Sequence, residues 1–176
     1  VSTSSSRLRD SLDLRARVES GIATGETAKA ARSVLERAQV GHLAMAGDGW
    51  PYLVPLCFSY DGQAIHFHCG GGLTASMLAA DDRVCLAASA DTGVVRGAVP
   101  CDDTMAYESV LAFGRVRLLS NDEERDAGLR QIVAKYDESA AGKAFNPKHF
   151  DAVLVYRLEI EALTYRSRQR TGTPAG

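Results

Sequence analysis

The chain has 176 residues, 45 % of them apolar and 24 % charged. Those proportions belong to a packed globular domain and exclude a disordered or low-complexity polymer. With 20 basic and 22 acidic side chains, the net charge is −2. No broad positive field exists to hold a phosphate polymer, so nucleic acid is not an expected partner. No apolar run approaches the roughly 20 residues that span a bilayer.

Residues 1–25 are rich in Ser, Arg and Asp, with a weak stripe at Leu8, Leu12 and Val18. They read as a flexible or helical arm. The start, "VSTSSSRLRD", lacks the apolar stretch of a signal peptide. The four cysteines (Cys57, Cys69, Cys85 and Cys101) form no C-x-x-C pair. They read as small buried hydrophobes of a cytoplasmic protein. From Glu26 to Arg37, the spacing of Ala31, Val34, Leu35 and Ala38 predicts an amphipathic helix capped by Thr24.

Strands dominate from there. "HLAMA" (His42–Ala46) and "YLVPLCFSY" (Tyr52–Tyr60) flank the turn "GDGWP". Pro55 removes one amide donor from the second strand, which argues for an edge, a bulge or a non-strand neighbour. "AIHFHC" (Ala64–Cys69) is the third strand, "RVCLAAS" (Arg83–Ser89) the fourth and "YESVLAFGRVRLLS" (Tyr107–Ser120) the fifth. Residues 90–106 read as a long connection, of a length usually reserved for function, or as a loop holding a short strand at Val94–Arg96. "SNDE" (Ser120–Glu123) has the pattern of a capping box and opens a helix. Its stripe of Leu129, Ile132, Val133 and Tyr136 is expected to face a core. "AVLVYRLEIEALTYR" (Ala152–Arg166) is the sixth strand, and residues 167–176 form a polar tail. Six strands with hairpin turns and few helices predict a closed or partly closed antiparallel barrel.

The least generic stretch is "AIHFHCGGGLTASML" (Ala64–Leu78). In strand geometry His66 and His68 share one face, while Ile65, Phe67 and Cys69 share the other. Three glycines then turn the chain into a helix starting near Leu73–Thr74. A strand, a Gly-rich bend and a helix amino end gather free amides around one point, which suits an anion. A ligand-free tight turn has the same spacing. A zinc cluster needs His68 and Cys69 on one side of the strand, where alternation forbids them. A single axial histidine for haem stays open.

In order, these motifs resemble one family. "VGHLAMAGDGWPYLVPLCFSYDGQAIHFHCGGGLTASMLAADDRVCLAA" resembles the opening half of the pyridoxamine 5'-phosphate oxidase-like flavoproteins. "YESVLAFGRVRLLSNDEERDAGLRQIVAKY" and "IEALTYR" resemble its nitroimidazole-resistance subgroup. The likeness runs from about Glu36 to Arg166. It implies a mainly β (α+β) fold, a six-stranded antiparallel Greek-key split barrel with flanking helices, whose FMN-binding domain covers residues 26–166. It also implies a homodimer with FMN at the subunit interface.

By the same resemblance, Val54, Pro55 and Leu56 lie along the flavin ring, with His66, Phe67 and His68 beside it. Gly72, Leu73 and Thr74 hold the phosphate, Tyr107 and Ser109 lie near the interface, and Arg166 is a basic residue of the last strand. The family usually places Lys or Arg at or beside position 74. This chain has Leu73 and Thr74 there, and no cation from Gly70 to Asp82. The expected function is an FMN-dependent oxidoreductase that passes electrons from a reduced nicotinamide to a small acceptor such as a nitroaromatic, with His68 at the reacting face. The alternative is a weakly catalytic or non-catalytic binding protein for haem or a deazaflavin coenzyme on the same scaffold.

Overall fold

The computed structural model describes residues 19, 21–47 and 49–168. Most of the expected arm, the tail beyond residue 168 and Asp48 of the first turn lie outside these residues. Helix α1 (Gly25–Arg37) precedes β1 (Gly41–Gly47), β2 (Trp50–Leu56), β3 (Phe58–Tyr60) and β4 (Ala64–Cys69). Helix α2 (Gly72–Ala80), β5 (Arg83–Val95), β6 (Thr104–Leu118), α3 (Asp122–Tyr136), α4 (Pro147–Ala152) and β7 (Leu154–Arg168) follow. All strands join one antiparallel sheet in the order β2-β1-β5-β6-β7-β4-β3. Among the described residues no helix is long and apolar enough to cross a membrane.

The expected second strand is two strands. It breaks at Cys57, and the pieces β2 and β3 form opposite edges of the sheet. A chain that crosses between sheet edges in one residue requires the sheet to curl until its edges meet. The meeting point is tight: a Cβ on Gly41, the partner of Leu56, would lie 2.9 Å from the Phe58 ring. No strand ladder crosses this seam. Tyr136, at the end of α3, bridges it with its hydroxyl. The Phe58 amide donates to that oxygen at 3.0 Å, and the hydroxyl donates to the Gln39 carbonyl at 2.7 Å. Tyr136 is therefore a half-exposed seam residue, whereas its stripe partners Leu129 and Ile132 are buried as the periodicity predicts.

Inside the curl, Leu43, Ile65, Phe67, Leu86, Val110 and Leu158 are fully or almost fully buried. Alternation puts them on one face of their strands. Helix α1 adds Ala31, Val34 and Leu35, all with no exposed surface, to the same core. Its anchors to the barrel are polar. Arg37 pairs with Asp91 and, at 2.6 Å, with Glu108, and Glu108 also accepts from Tyr165. A second, smaller core of Leu119, Leu129 and Val155 lies outside the barrel beneath α3.

Three further expectations are settled or change. Of the two readings of residues 90–106, the strand near Val94 is the one observed: β5 runs to Val95 and pairs with Thr104, leaving residues 96–103 as the connection, with a bulge between Ala90 and Gly93 where Asp91 takes φ 52°. The bulge breaks the alternation on which strand recognition relies. The cap of α3 is Asn121, not Ser120, because the Asn121 side chain accepts from the Glu123 and Glu124 amides. The cysteines are free thiols, and none is fully buried: Cys57 and Cys101 are exposed. Described structure continues on both sides of residues 26–166: the Ala23 amide donates to the Leu163 carbonyl at 2.7 Å, and β7 ends at Arg168.

Replacing Tyr136 by Phe leaves the Phe58 amide and the Gln39 carbonyl without their partner. The expected cost is about 1–3 kcal/mol of folding stability. Urea unfolding of Tyr136→Phe beside the parent measures it, and an unchanged midpoint would show that the seam does not need this bridge.

Candidate functional site

Because β-strand side chains alternate, the outer surface of the curled sheet is continuous, yet its two halves differ. One half lies beneath α3. There the register aligns Ser59, His66, Arg157 and Arg117 across β3, β4, β7 and β6. The other half carries Leu53 and Pro55 on β2, His42 and Ala44 on β1, Cys85 and Ala87 on β5, and Leu111 and Phe113 on β6. No helix of the described residues covers this half. Leu53 is 56 % exposed there and Leu111 39 %.

The resemblance-derived residues distribute unevenly over these surfaces. Pro55 faces outward on the bare half, and Val54 and Leu56 point inward against the core. Tyr107, Ser109 and Arg166 also face outward there, with Ser109 opposite Arg166 in the β6–β7 register. Arg166 has no carboxylate partner among the described residues. Most other described arginines of the sheet and helices do, such as Arg115 with Asp82 and Arg117 with Glu124.

Phe67 is fully buried and stacks on Tyr156 with ring centroids 5.4 Å apart. Only its backbone could meet a ligand. His66 is 5 % exposed and sits beneath α3, where Gly128 lets the helix approach closely: a Cβ at 128 would stand 3.4 Å from the imidazole. Arg157 can only donate, so its 3.2 Å contact makes the His66 Nε2 an acceptor. Burial drives the His66 pKa down, opposed by Asp61 and reinforced by Arg157. The two histidines thus share a face without sharing a role. His68 is exposed beyond the helix, beside the Gly-rich turn, and partial desolvation also lowers its pKa.

The turn itself has the form an anion would use. Gly71 and Gly72 adopt φ 91° and 71°, which only glycine takes without strain. Gly71 occupies the cap position of α2, and no side chain caps its first amides. The Ser76 hydroxyl donates back to the Gly72 carbonyl at 3.1 Å, leaving Thr74 as the free hydroxyl of the pair. Leu73 is 60 % exposed.

Along β7 these parts are well separated. The turn follows Cys69, which pairs with Leu154 at the start of β7, whereas Arg166 lies 12 residues further along that strand. At 3.3 Å per residue this is about 40 Å of strand path. Two open clefts lined by described residues lie elsewhere, on either side of α3. One, of about 600 Å³, is lined by Glu36, Ser59, Tyr60, Asp61, Gln131 and Lys135. The other, of about 390 Å³, is lined by His66, Arg117, Glu124, Gly128, Gln131 and Arg157. Nothing in the sequence pattern separated the two halves of the outer surface. The contacts of α3 do.

A family model described as pyridoxamine 5'-phosphate oxidase matches residues 27–167. Among solved structures the fold is similar to a candidate 5-nitroimidazole antibiotic resistance protein from Bacteroides thetaiotaomicron. That pair has a TM-score of 0.69 and 23 % identity over 78 % of this chain and 81 % of that one. It is also similar to the flavocytochrome Anf3 from Azotobacter vinelandii, with a TM-score of 0.69 and 22 % identity over 84 % and 69 % of the two chains. An FAD and heme binding protein from Mycobacterium smegmatis gives a TM-score of 0.70 and 20 % identity over 88 % and 75 %. No curated protein matches the sequence.

The depressed pKa of His66 has a signed consequence. As pH falls through about 6.5, the unfolded chain takes up a proton that the buried imidazole refuses, so stability falls from about pH 7 to pH 5. His68 acts in the same direction. Asp61, Glu108 and Glu124, whose pKa values are lowered, act only below the ordinary carboxylate range. Urea unfolding across this window should show a shallower slope for His66→Gln, and an unaltered slope would mean that His66 is not buried as a neutral ring.

Proposed function

Since the chain belongs to the pyridoxamine 5'-phosphate oxidase family, we propose that it is an FMN-dependent oxidoreductase that works as a homodimer. One observation carries this reading. The residues suited to hold a flavin nucleotide fall near opposite ends of β7, beside an apolar face of β2, β1, β5 and β6 that no described helix covers, and a second copy docked there would bring the two ends together. The uncapped amides at Gly72–Thr74 suit a phosphate, and Arg166 supplies a cation that no carboxylate among the described residues neutralises. A two-fold dimer through the bare half buries Leu53, Pro55 and Leu111 and sets the turn of one protomer near the strand end of its partner.

The Gly72–Thr74 amides and Arg166 would hold FMN there, and its redox chemistry would be hydride exchange between a reduced nicotinamide and a small acceptor, of which a nitroaromatic is one class. The chain's own groups position and exclude. Pro55 withholds an amide on its edge strand, which leaves that edge open for a flat ring rather than another strand. Leu53 and Leu111 exclude water. Tyr107 and Ser109 line the end of the face beside Arg166. His68, largely neutral above pH 6.5, can donate or accept one hydrogen bond beside the turn without adding charge.

A second reading has its own support. Leu73 and Thr74 stand where a cation would bind phosphate, and His68 is an exposed imidazole beside them. A ligand that needs a histidine more than a phosphate site, such as haem, suits that pair. A deazaflavin coenzyme needs the same face with less demand on the turn. The names of two similar folds, the flavocytochrome and the FAD and heme binding protein, are compatible with either cofactor.

Purified protein should be yellow or gain bound-flavin absorbance on titration with FMN. Thr74→Lys should tighten FMN about tenfold to a hundredfold, the worth of a charge-assisted phosphate contact. A preparation that takes up no flavin, yet gives a Soret band with haem that His68→Ala abolishes, would replace the first reading with the second.

The shared site has a separate test. Thr74→Glu and Arg166→Glu should each abolish FMN binding alone. Mixed in equal amounts and allowed to exchange subunits, they should recover about a quarter of the sites, since half the dimers are mixed and each holds one intact site. No recovery, with subunit exchange confirmed by native mass spectrometry, would place both residues in the same protomer's site or in none.

A further inference from the structure

The larger cleft belongs to none of this. It opens between α3, the end of α1 and the β3–β4 hairpin, and its lining includes Glu36, Ser59, Asp61, Gln131 and Lys135. Two buried side-chain atoms beneath α3 have no hydrogen-bond partner among the described residues, the Ser59 hydroxyl and the His66 Nδ1. They are neighbours, since Ser59 and His66 are register partners on β3 and β4, and their residues are only 3 % and 5 % exposed. Buried polar atoms are rarely left so. Because the His66 Nε2 accepts from Arg157, the Nδ1 carries the ring proton and needs an acceptor. The Asp61 carboxylate stands 3.9 Å from it and is already engaged, accepting from the Gln63 and Ala64 amides and, at 2.8 Å, from Arg157.

Two formal charges of the lining are also unmatched. The Lys135 Nζ donates to the Leu35 carbonyl at 2.9 Å and lies 3.6 Å from the centre of the Phe58 ring, contacts that hold an ammonium. Desolvation lowers its pKa only to about 8, so it stays mostly protonated at pH 7. It makes no ion pair among the described residues, and the Glu36 carboxylate makes neither an ion pair nor a hydrogen bond among them. A carboxylate ligand alone would meet Lys135 and the donors of the floor but would face Glu36. An amine alone would meet Glu36 but would face Lys135 and leave the floor unmatched. A molecule that carries both charges meets every one of these groups.

We propose that the cleft between α3 and the β3–β4 hairpin binds a free α-amino acid as its zwitterion. The carboxylate accepts from the Ser59 hydroxyl and the His66 Nδ1 on the side of Lys135, and the ammonium turns to Glu36. Arg157 offsets the charge of Asp61 beside the carboxylate. Gln131 borders this cleft and the smaller one that His66 lines, and its amide can donate or accept. At about 600 Å³ the cleft leaves room for a side chain.

The test is calorimetric titration of the full chain at pH 7 with L-alanine and with its two halves, propanoate and ethylamine. L-alanine is expected to bind saturably, one per chain, and each half at least tenfold more weakly. Glu36→Gln should weaken L-alanine tenfold or more yet strengthen propanoate, an opposite pair of effects that general damage to the fold would not give. Its FMN titration should be unchanged, which separates this site from the flavin face. Ser59→Ala removes a hydroxyl that bonds to nothing in the protein, so it should weaken L-alanine and leave the unfolding midpoint in place. Propanoate binding as tightly as L-alanine would overturn the zwitterion. Unchanged L-alanine affinity in Ser59→Ala, as when water alone meets that hydroxyl, or no saturable L-alanine binding to the parent, would overturn the site.

Discussion

The barrel depends on a single seam. Cys57 is the whole connection between β2 and β3, yet those strands are the two edges of a seven-stranded sheet. The sheet therefore has to close on itself, but strand pairing cannot close it, because the edges meet at a crossover rather than along a ladder. The groups exposed by that geometry are a main-chain amide at Phe58 and a carbonyl at Gln39. One phenol satisfies both. An unmade backbone bond in a protected place costs more than a made one returns, so the position of Tyr136 is fixed by necessity. Since Tyr136 ends α3, fixing it also fixes where α3 lies on the sheet.

The two-sided outer surface follows from that placement. Where α3 covers the sheet, the buried row is polar, and each arginine in it is tied to a carboxylate. Arg157 pairs with Asp61 at 2.8 Å and Glu159 at 2.7 Å, and Arg117 with Glu124 at 3.0 Å. These pairs are partly exposed and add little stability individually. They do prevent uncompensated charge under the helix. Where α3 is absent the surface turns apolar, with alanines, Leu53, Leu111 and Phe113, and Arg166 at its far end has no carboxylate partner among the described residues. An apolar face that no described helix covers is the kind of surface that marks an interaction site. The proposed cofactor and the proposed second copy would both use it.

Much of this was legible in the residues. The period-two pattern of "AIHFHC" placed Ile65 and Phe67 in the core. The i, i+3 spacing of Leu129 and Ile132 placed α3 against a surface. The parts that were not legible share a physical cause, which is that long-range geometry overrode a local rule. Phe58 and Leu56 are both apolar and in phase, so no local signal breaks the strand at Cys57. The break exists because the sheet must close. Asp91 sits at a bulge that masks a continuing strand. Asn121 and Ser120 are both good caps, and only the path into the first turn of α3 selects between them. His66 and His68 have identical strand geometry, and the helix overhead decides that one is buried and the other exposed. Tyr136 fits an apolar stripe by spacing, while its hydroxyl is what the fold uses.

The Gly-rich turn shows how far a backbone can replace a side chain. Two glycines with positive φ and an uncapped helix start provide amide donors and the positive end of a helix dipole. Both are weaker than a lysine held against a dianion, and both are indifferent to whether the ligand carries one charge or two. Leu73, more than half exposed at the same point, adds an apolar contact that phosphate cannot use. A site built this way discriminates less by phosphate charge and more by the shape and apolar area of whatever lies on the bare sheet face. Affinity there would rest on how completely that face is covered. A ligand held mainly by an interface is released when the interface loosens, so occupancy of this site should follow association of the two chains more closely than in a relative whose turn carries its own cation.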